Sequence, residues 1–139
     1  MMIYSPTAQH ALRALIYLAR HNGDKPIRVS EIASAEEIPR QFLSKILHSL
    51  RNKGMVKAVK GPGGGYMLAK PSTHITIWDV VEAVDGAQNL GNRCILGPRE
   101  CSDQGSCALH EQWKYLRDQF TQTIGSMTLA QASITNPKS

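Results

Sequence analysis

The stretch IPRQFLSKILHSLRNKGMVKAVKGPGGGYMLAKP, residues 38–71, decides the fold. Pro39 stands in the first turn of a helix, where its missing N–H costs nothing. Phe42, Leu43, Ile46, Leu47 and Leu50 recur at the helical period and give that helix its inward face. Gly54 follows in the position just past a helix end, which favours a left-handed backbone. The opposite face carries Arg40, Gln41, Ser44, Lys45, His48 and Arg51. Met55–Lys60 then alternates as a strand does, Gly61-Pro62-Gly63-Gly64-Gly65 makes a turn, and Tyr66–Ala69 returns as the partner strand. A basic helix followed at once by a glycine-tipped hairpin is the order of a recognition helix and its wing.

Just upstream, Ile27-Arg28-Val29 is a short extended piece, and Ser30 is the expected cap of a short helix with Ile32 and Ala33 on its inner side. The pair of helices makes a helix-turn-helix. Further upstream, Ser5 caps and Pro6 opens a first helix, with Ala8, Ala11, Leu12, Leu15, Ile16 and Ala19 on one stripe that ends near Asn22-Gly23. Downstream, Thr76-x-x-Asp79 has the spacing of a capping box and opens a helix with Ile77, Val80, Val81 and Val84 inward. Asp85-Gly86 ends it. A last long helix runs from about Ala108 to Ile124, with Leu109, Trp113, Leu116, Phe120 and Ile124 in line and Gly125 as its stop. Such a stripe either closes the core or packs against the same helix of a second copy. The two-fold symmetric sites read by helix-turn-helix proteins favour the homodimer. Thr128-Leu129-Ala130 begins a short final helix ahead of the tail. The predicted fold class is mainly α with a small β-hairpin wing. A winged helix-turn-helix domain occupies residues 1–75, a cysteine loop and dimerisation helix residues 76–127, and a C-terminal tail residues 128–139.

Bulk properties agree with this outline. At 139 residues and 42% hydrophobic content, the chain has enough apolar material for one domain with a real core. Residues 1–70 hold eleven Lys/Arg against four Asp/Glu, a net +7, whereas residues 71–139 net −2. One half is therefore suited to meet a polyanion such as double-stranded DNA. The start of the chain lacks a basic n-region, and no apolar run approaches the roughly 20 residues a membrane span requires. A cytoplasmic protein is expected. No nucleophile–base pairing, phosphate loop or metalloprotease motif is present, so the chain does not read as an enzyme.

On the DNA side, Arg40, Gln41, Ser44 and Lys45 are placed to read base edges, since Arg and Gln bind guanine and adenine bidentately. His48, Arg51, Lys57 and Lys60 suit phosphates or the groove beside the wing, and Ser30 joins the set from the preceding helix. Gly61, Gly63, Gly64 and Gly65 leave the wing tip free of side-chain bulk, so its backbone can approach phosphates or a minor groove. The competing reading is an ordinary solvated basic face.

The second constellation is CILGPRECSDQGSCALH, residues 94–110, which gathers all three cysteines, Cys94, Cys101 and Cys107, and places His110 three positions after the last. Clustered thiols with no sign of secretion point to metal or redox chemistry rather than a disulfide framework. A Cys107 near a helix start favours thiolate, and His110 one turn on shares its helical face. Several chemistries fit these residues: an iron–sulfur cluster, zinc on three cysteines and a histidine, or a switch in which two thiols pair on oxidation. Glu100, Asp103 and His10 are substitute ligands. An iron–sulfur carrier would also need such a loop, but has no evident use for a wing.

The segment SPTAQHALRALIYLA (residues 5–19), the wing motif KGPGGGY within residues 38–71, and the cysteine trio together resemble the IscR/NsrR (Rrf-two) family of bacterial winged-helix regulators. The resemblance spans the first helix through the last long one. It implies a homodimeric transcription factor binding a palindromic operator, with an iron–sulfur cluster tuning DNA affinity. It also implies cluster ligation by Cys94, Cys101 and Cys107, with His110 as fourth ligand in the IscR manner and [2Fe-2S] rather than [4Fe-4S]. The NsrR branch takes an aspartate from the first helix, where this chain has Gln9. Six residues separate Cys94 from Cys101, one more than the resemblance leads one to expect.

Overall fold

The computed structural model describes residues 4–21, 25–86 and 109–134. Helix α1 (Pro6–Arg20) is the hub of the core. Its start is as expected, with the Ser5 hydroxyl accepting from the Ala8 N–H at 3.0 Å and Pro6 in the first turn. Its buried residues are Ala8, Ala11, Leu12, Ala14, Leu15 and Leu18, a band wider than the predicted stripe, whose members Ile16 and Ala19 are only partly buried. The width has a plain cause: α1 is packed by several other helices and by the wing, not by one neighbour.

Ile27 pairs its backbone with Tyr66 through two hydrogen bonds of 2.8 Å, which adds a third short extended piece beside the wing. Helix α2 (Val29–Glu36) therefore starts earlier than expected: Arg28 stands at the cap, and Ser30 is the second helical residue. The backbone pairing at Ile27 fixes where the chain can turn, so the serine side chain does not set the boundary. Ile32 and Ala33 are buried, as predicted. The turn between the helices rests on Glu37, a non-glycine residue in left-handed conformation (φ 55°) whose N–H bonds the Ala33 carbonyl. Ile38 is buried directly behind it.

Helix α3 (Arg40–Asn52) buries Leu43, Ile46, Leu47 and Leu50. Pro39 sits at its cap, one position ahead of the first turn. Phe42, expected inward, is 40% exposed. At about 100° per residue it lies to one side of the buried stripe, with its ring edge-on to His10 of α1 at 5.4 Å between centroids. Gly54 follows the helix with φ 78°, as predicted.

The wing is a two-stranded antiparallel hairpin, β1 (Val56–Val59) and β2 (Gly65–Leu68), in the register Val56 to Leu68 through Val59 to Gly65. Only Val56 of β1 is buried, so Lys57–Val59 face solvent, while Tyr66 and Leu68 of β2 rest against the core. After a short 3-10 turn (Ser72–His74), helix α4 (Ile77–Asp85) opens with the predicted capping box: Asp79 N–H to Thr76 Oγ1 at 3.1 Å and Thr76 N–H to the Asp79 carboxylate at 2.9 Å. Gly86 ends it with φ 81°. Asp85 accepts from both the backbone N–H (2.8 Å) and the hydroxyl of Ser5, tying the end of α4 to the start of α1.

Helix α5 (His110–Gln122) starts two residues later than expected and turns His110, Trp113 and Phe120 inward. Phe120 lies between Tyr4 and Trp78, at 6.0 and 6.2 Å between ring centroids. Leu109, Leu116 and Ile124, the rest of the predicted stripe, are exposed, as is Tyr115. A 3-10 turn (Ile124–Ser126) leads to α6 (Leu129–Ile134). The Ile77 N–H bonds Met127 and the Leu129 N–H bonds Ile75, each at 2.8 Å. Leu129 is wholly buried in the core shared with α1. Residues 129–134 are thus packed helix; 135–139 lie outside the described residues.

Candidate nucleic-acid interface and cysteine site

Helical geometry sorts the outward residues of α3. Gln41, Lys45 and His48 project opposite the buried stripe, and Arg40, Ser44 and Arg51 line one flank. All are exposed except Ser44, which is half-buried. Between Glu37 and Asp79 the sequence holds Arg40, Lys45, Arg51, Lys53, Lys57, Lys60 and Lys70 and no Asp or Glu. None of these cations forms an ion pair with another described residue; the Arg13–Glu36 pair (3.3 Å) joins α1 to α2 instead. Their charge is therefore directed outward, and the N-terminus of α3 adds its positive dipole end. Such a surface attracts phosphate and presents donors to base edges.

Lys57, Lys60, Gly61 and Gly63 are exposed on the wing, and Ser30 is exposed on α2. The other two wing glycines serve the backbone itself. Gly64 is buried, its N–H closes the turn onto the Gly61 carbonyl at 2.9 Å, and a Cβ there would collide with the Val59 and Gly61 carbonyl oxygens. At Gly65 (φ 150°) a Cβ would enter the Ile27 carbonyl and stand 2.8 Å from the Arg28 nitrogen. Glycine is what lets β2 lie against the Ile27 strand. The run GPGGG announced a turn, but this close approach is set by a residue nearly forty positions away and has no local signal.

Of the cysteine site, Cys94, Cys101 and Cys107 lie outside the described residues, as do Glu100 and Asp103. His110 is described. It opens α5 and is 7% exposed, drawn in with Trp113 rather than left in solvent. No group of three potential metal-ligating side chains occurs among the described residues. His10 and Gln9 lie on α1, each half-buried.

A helix-turn-helix with an outward basic helix and a glycine wing defines the class of winged helix-turn-helix transcriptional regulators. The family model "Rrf2: Iron-dependent Transcriptional regulator" matches residues 4–133. The chain belongs to the Rrf2 family. It is 42% identical over 130 residues to an HTH-type transcriptional regulator of Aquifex aeolicus, covering 92% of this chain and 89% of that one. It is 31% identical over 123 residues to the transcriptional regulator IscR of Yersinia pestis, covering 88% and 74%. Among solved structures, CymR (YrzC), the global cysteine regulator of B. subtilis, superposes with a TM-score of 0.80 at 27% identity, covering 98% of this chain and all (100%) of that one. IscR of T. potens shares the fold with a TM-score of 0.74 at 23% identity over 92% and 83%. No helix among the described residues is long and apolar enough to cross a membrane.

Proposed function

We propose that this Rrf2-type regulator is a cytoplasmic homodimer that binds a palindromic operator and senses through an iron–sulfur cluster held by Cys94, Cys101, Cys107 and His110. The observation that supports the site is His110. An imidazole buried at the first turn of α5, three residues after the last of three clustered cysteines, is where a fourth ligand is wanted. Three thiols and an imidazole are also a donor set that suits such a cluster, and the resemblance to the IscR branch favours [2Fe-2S] above [4Fe-4S]. When bound, the cluster supplies a centre responsive to oxidants, nitric oxide or iron supply. The protein's own part is to supply His110 from the first turn of α5 and, through α5, to set the spacing of two recognition helices.

The exposed side of α5 supports the dimer. Tyr115 and Leu116 are 62% and 52% exposed, and with Glu111 and Gln112 they line an open groove. An apolar face of this kind on a helix that already buries Trp113 and Phe120 suits a second copy.

On the DNA side, Arg40, Gln41, Ser44 and Lys45 read bases, and His48, Arg51, Lys57, Lys60, Ser30 and the wing backbone contact phosphate and groove.

A second reading, direct thiol oxidation, is favoured by the similarity to a cysteine regulator and by the longer Cys94–Cys101 gap. Absorption spectra with iron and sulfide assays on anaerobically purified wild type, Cys101→Ala and His110→Ala separate the two. Cluster sensing requires matched iron and sulfide, lost with Cys101 and altered with His110, and different operator affinity of loaded and stripped protein. A colourless protein, or equal affinity of the two forms, overturns it.

A further inference from the structure

We propose that Phe42 is a specificity-determining residue of the DNA interface, reading the 5-methyl group of a thymine in the major groove. The inference rests on the reading of α3 as the major-groove helix. Phe42 is the third residue of α3, in the first turn, and the N-terminal residues of a recognition helix are those that reach base edges. It is 40% exposed, although the sequence period groups it with the core. Gln41 and Lys45, the residues beside it on the outward side of α3, are polar, so on this turn it is the one large apolar group turned outward.

His10 of α1 meets the ring edge-on at 5.4 Å and 84°, so the ring contacts α1 while the residue stays 40% exposed. An aromatic face set beside cations does not suit a phosphate. In the major groove the strongly apolar group on a base edge is the thymine methyl, and Phe is among the side chains that contact it. Gln41 and Lys45 beside it supply donors and acceptors for the flanking bases.

The test uses a palindromic duplex selected by the wild-type protein from a random library, then resynthesised with deoxyuridine replacing thymidine at one position per half-site. This removes one methyl group per half-site and nothing else, and needs no change in the protein. At one position the replacement should weaken wild-type binding about three- to fivefold per half-site, and so about ten- to twenty-fivefold for the palindrome, the size expected for one apolar carbon returned to water in each half. Phe42→Ala should bind thymidine and deoxyuridine duplexes there equally, whereas Phe42→Leu should keep part of the difference. The proposal is overturned if no position is sensitive, or if Phe42→Ala retains the full difference. Selection of no duplex at all would overturn instead the placement of α3 in the major groove, and this proposal with it.

Discussion

Replacing Gly65 by alanine should destabilise the protein far more than replacing Gly61, four residues away on the same wing. At Gly65 the backbone has φ 150° and a Cβ would overlap the Ile27 carbonyl, so the side chain cannot be admitted without moving β2 off the Ile27 strand. Residues other than glycine held in such backbone regions cost about 1–3 kcal/mol. Separation of the strands also breaks the two 2.8 Å bonds between Ile27 and Tyr66, each contributing about 1 kcal/mol. The expected total is about 3–5 kcal/mol. Gly61 (φ 95°) has nothing within 4 Å of the place its Cβ would take, so Gly61→Ala meets backbone strain alone, about 1–3 kcal/mol, without the clash and the two lost hydrogen bonds. Urea denaturation followed by circular dichroism measures both, and equal slopes would confirm that the same transition is compared. If the two variants lose equal stability, the contact between β2 and the Ile27 strand is not what demands glycine at position 65.

Three further outcomes follow from the packing. Asp85→Ala removes a carboxylate that accepts twice from Ser5; it should cost about 1.5–3 kcal/mol, with Asp85→Asn intermediate, and an unchanged denaturation midpoint would show that the α1–α4 tie is not formed in solution. Leu129→Ala, at a wholly buried position, should cost about 2–5 kcal/mol, whereas Leu116→Ala at a 52% exposed one should leave the monomer fold within about 0.5 kcal/mol and weaken self-association in sedimentation; the reverse order would mean that α6 is not docked. Burial, and then the hydrogen bond to Glu31, raise the Tyr17 phenol above its ordinary value of 10.0. Because the neutral form is the one the fold favours, that stabilisation is complete below pH 10 and is lost as pH rises through the higher folded value. Tyr17→Phe should flatten this alkaline decline, and an identical decline in both proteins would remove Tyr17 as its source.

The order of helices, the wing and the basic outward face of α3 were determined by the sequence alone, because each rests on local chemistry. Ser5-Pro6, Thr76-x-x-Asp79 and Gly54 mark helix ends by side-chain hydrogen bonds or backbone freedom that involve only a few neighbouring residues. Even α6 had a local sign, since Thr128 and Gln131 bond reciprocally across its first turn (2.9 and 3.1 Å) as a capping box does. Three cysteines and a histidine within residues 94–110 likewise announce soft-ligand chemistry by composition and spacing.

Other features were decided only by tertiary contact. The start of α2 at Val29 rather than after Ser30 follows from the pairing of Ile27 with Tyr66. Phe42 lies at the margin of the stripe that carries Leu43 and Ile46, and α1 meets its ring edge-on through His10 and leaves it 40% exposed. On α5 the period gave one stripe from Leu109 to Ile124, but the body of the chain covers only the side carrying Trp113 and Phe120, with Trp78 and Tyr4 against Phe120, and leaves Leu116 outward. Periodicity states which residues share a face of a helix. Which part of that face finds a partner depends on the surfaces other elements bring to it, and those are fixed only when the chain has folded.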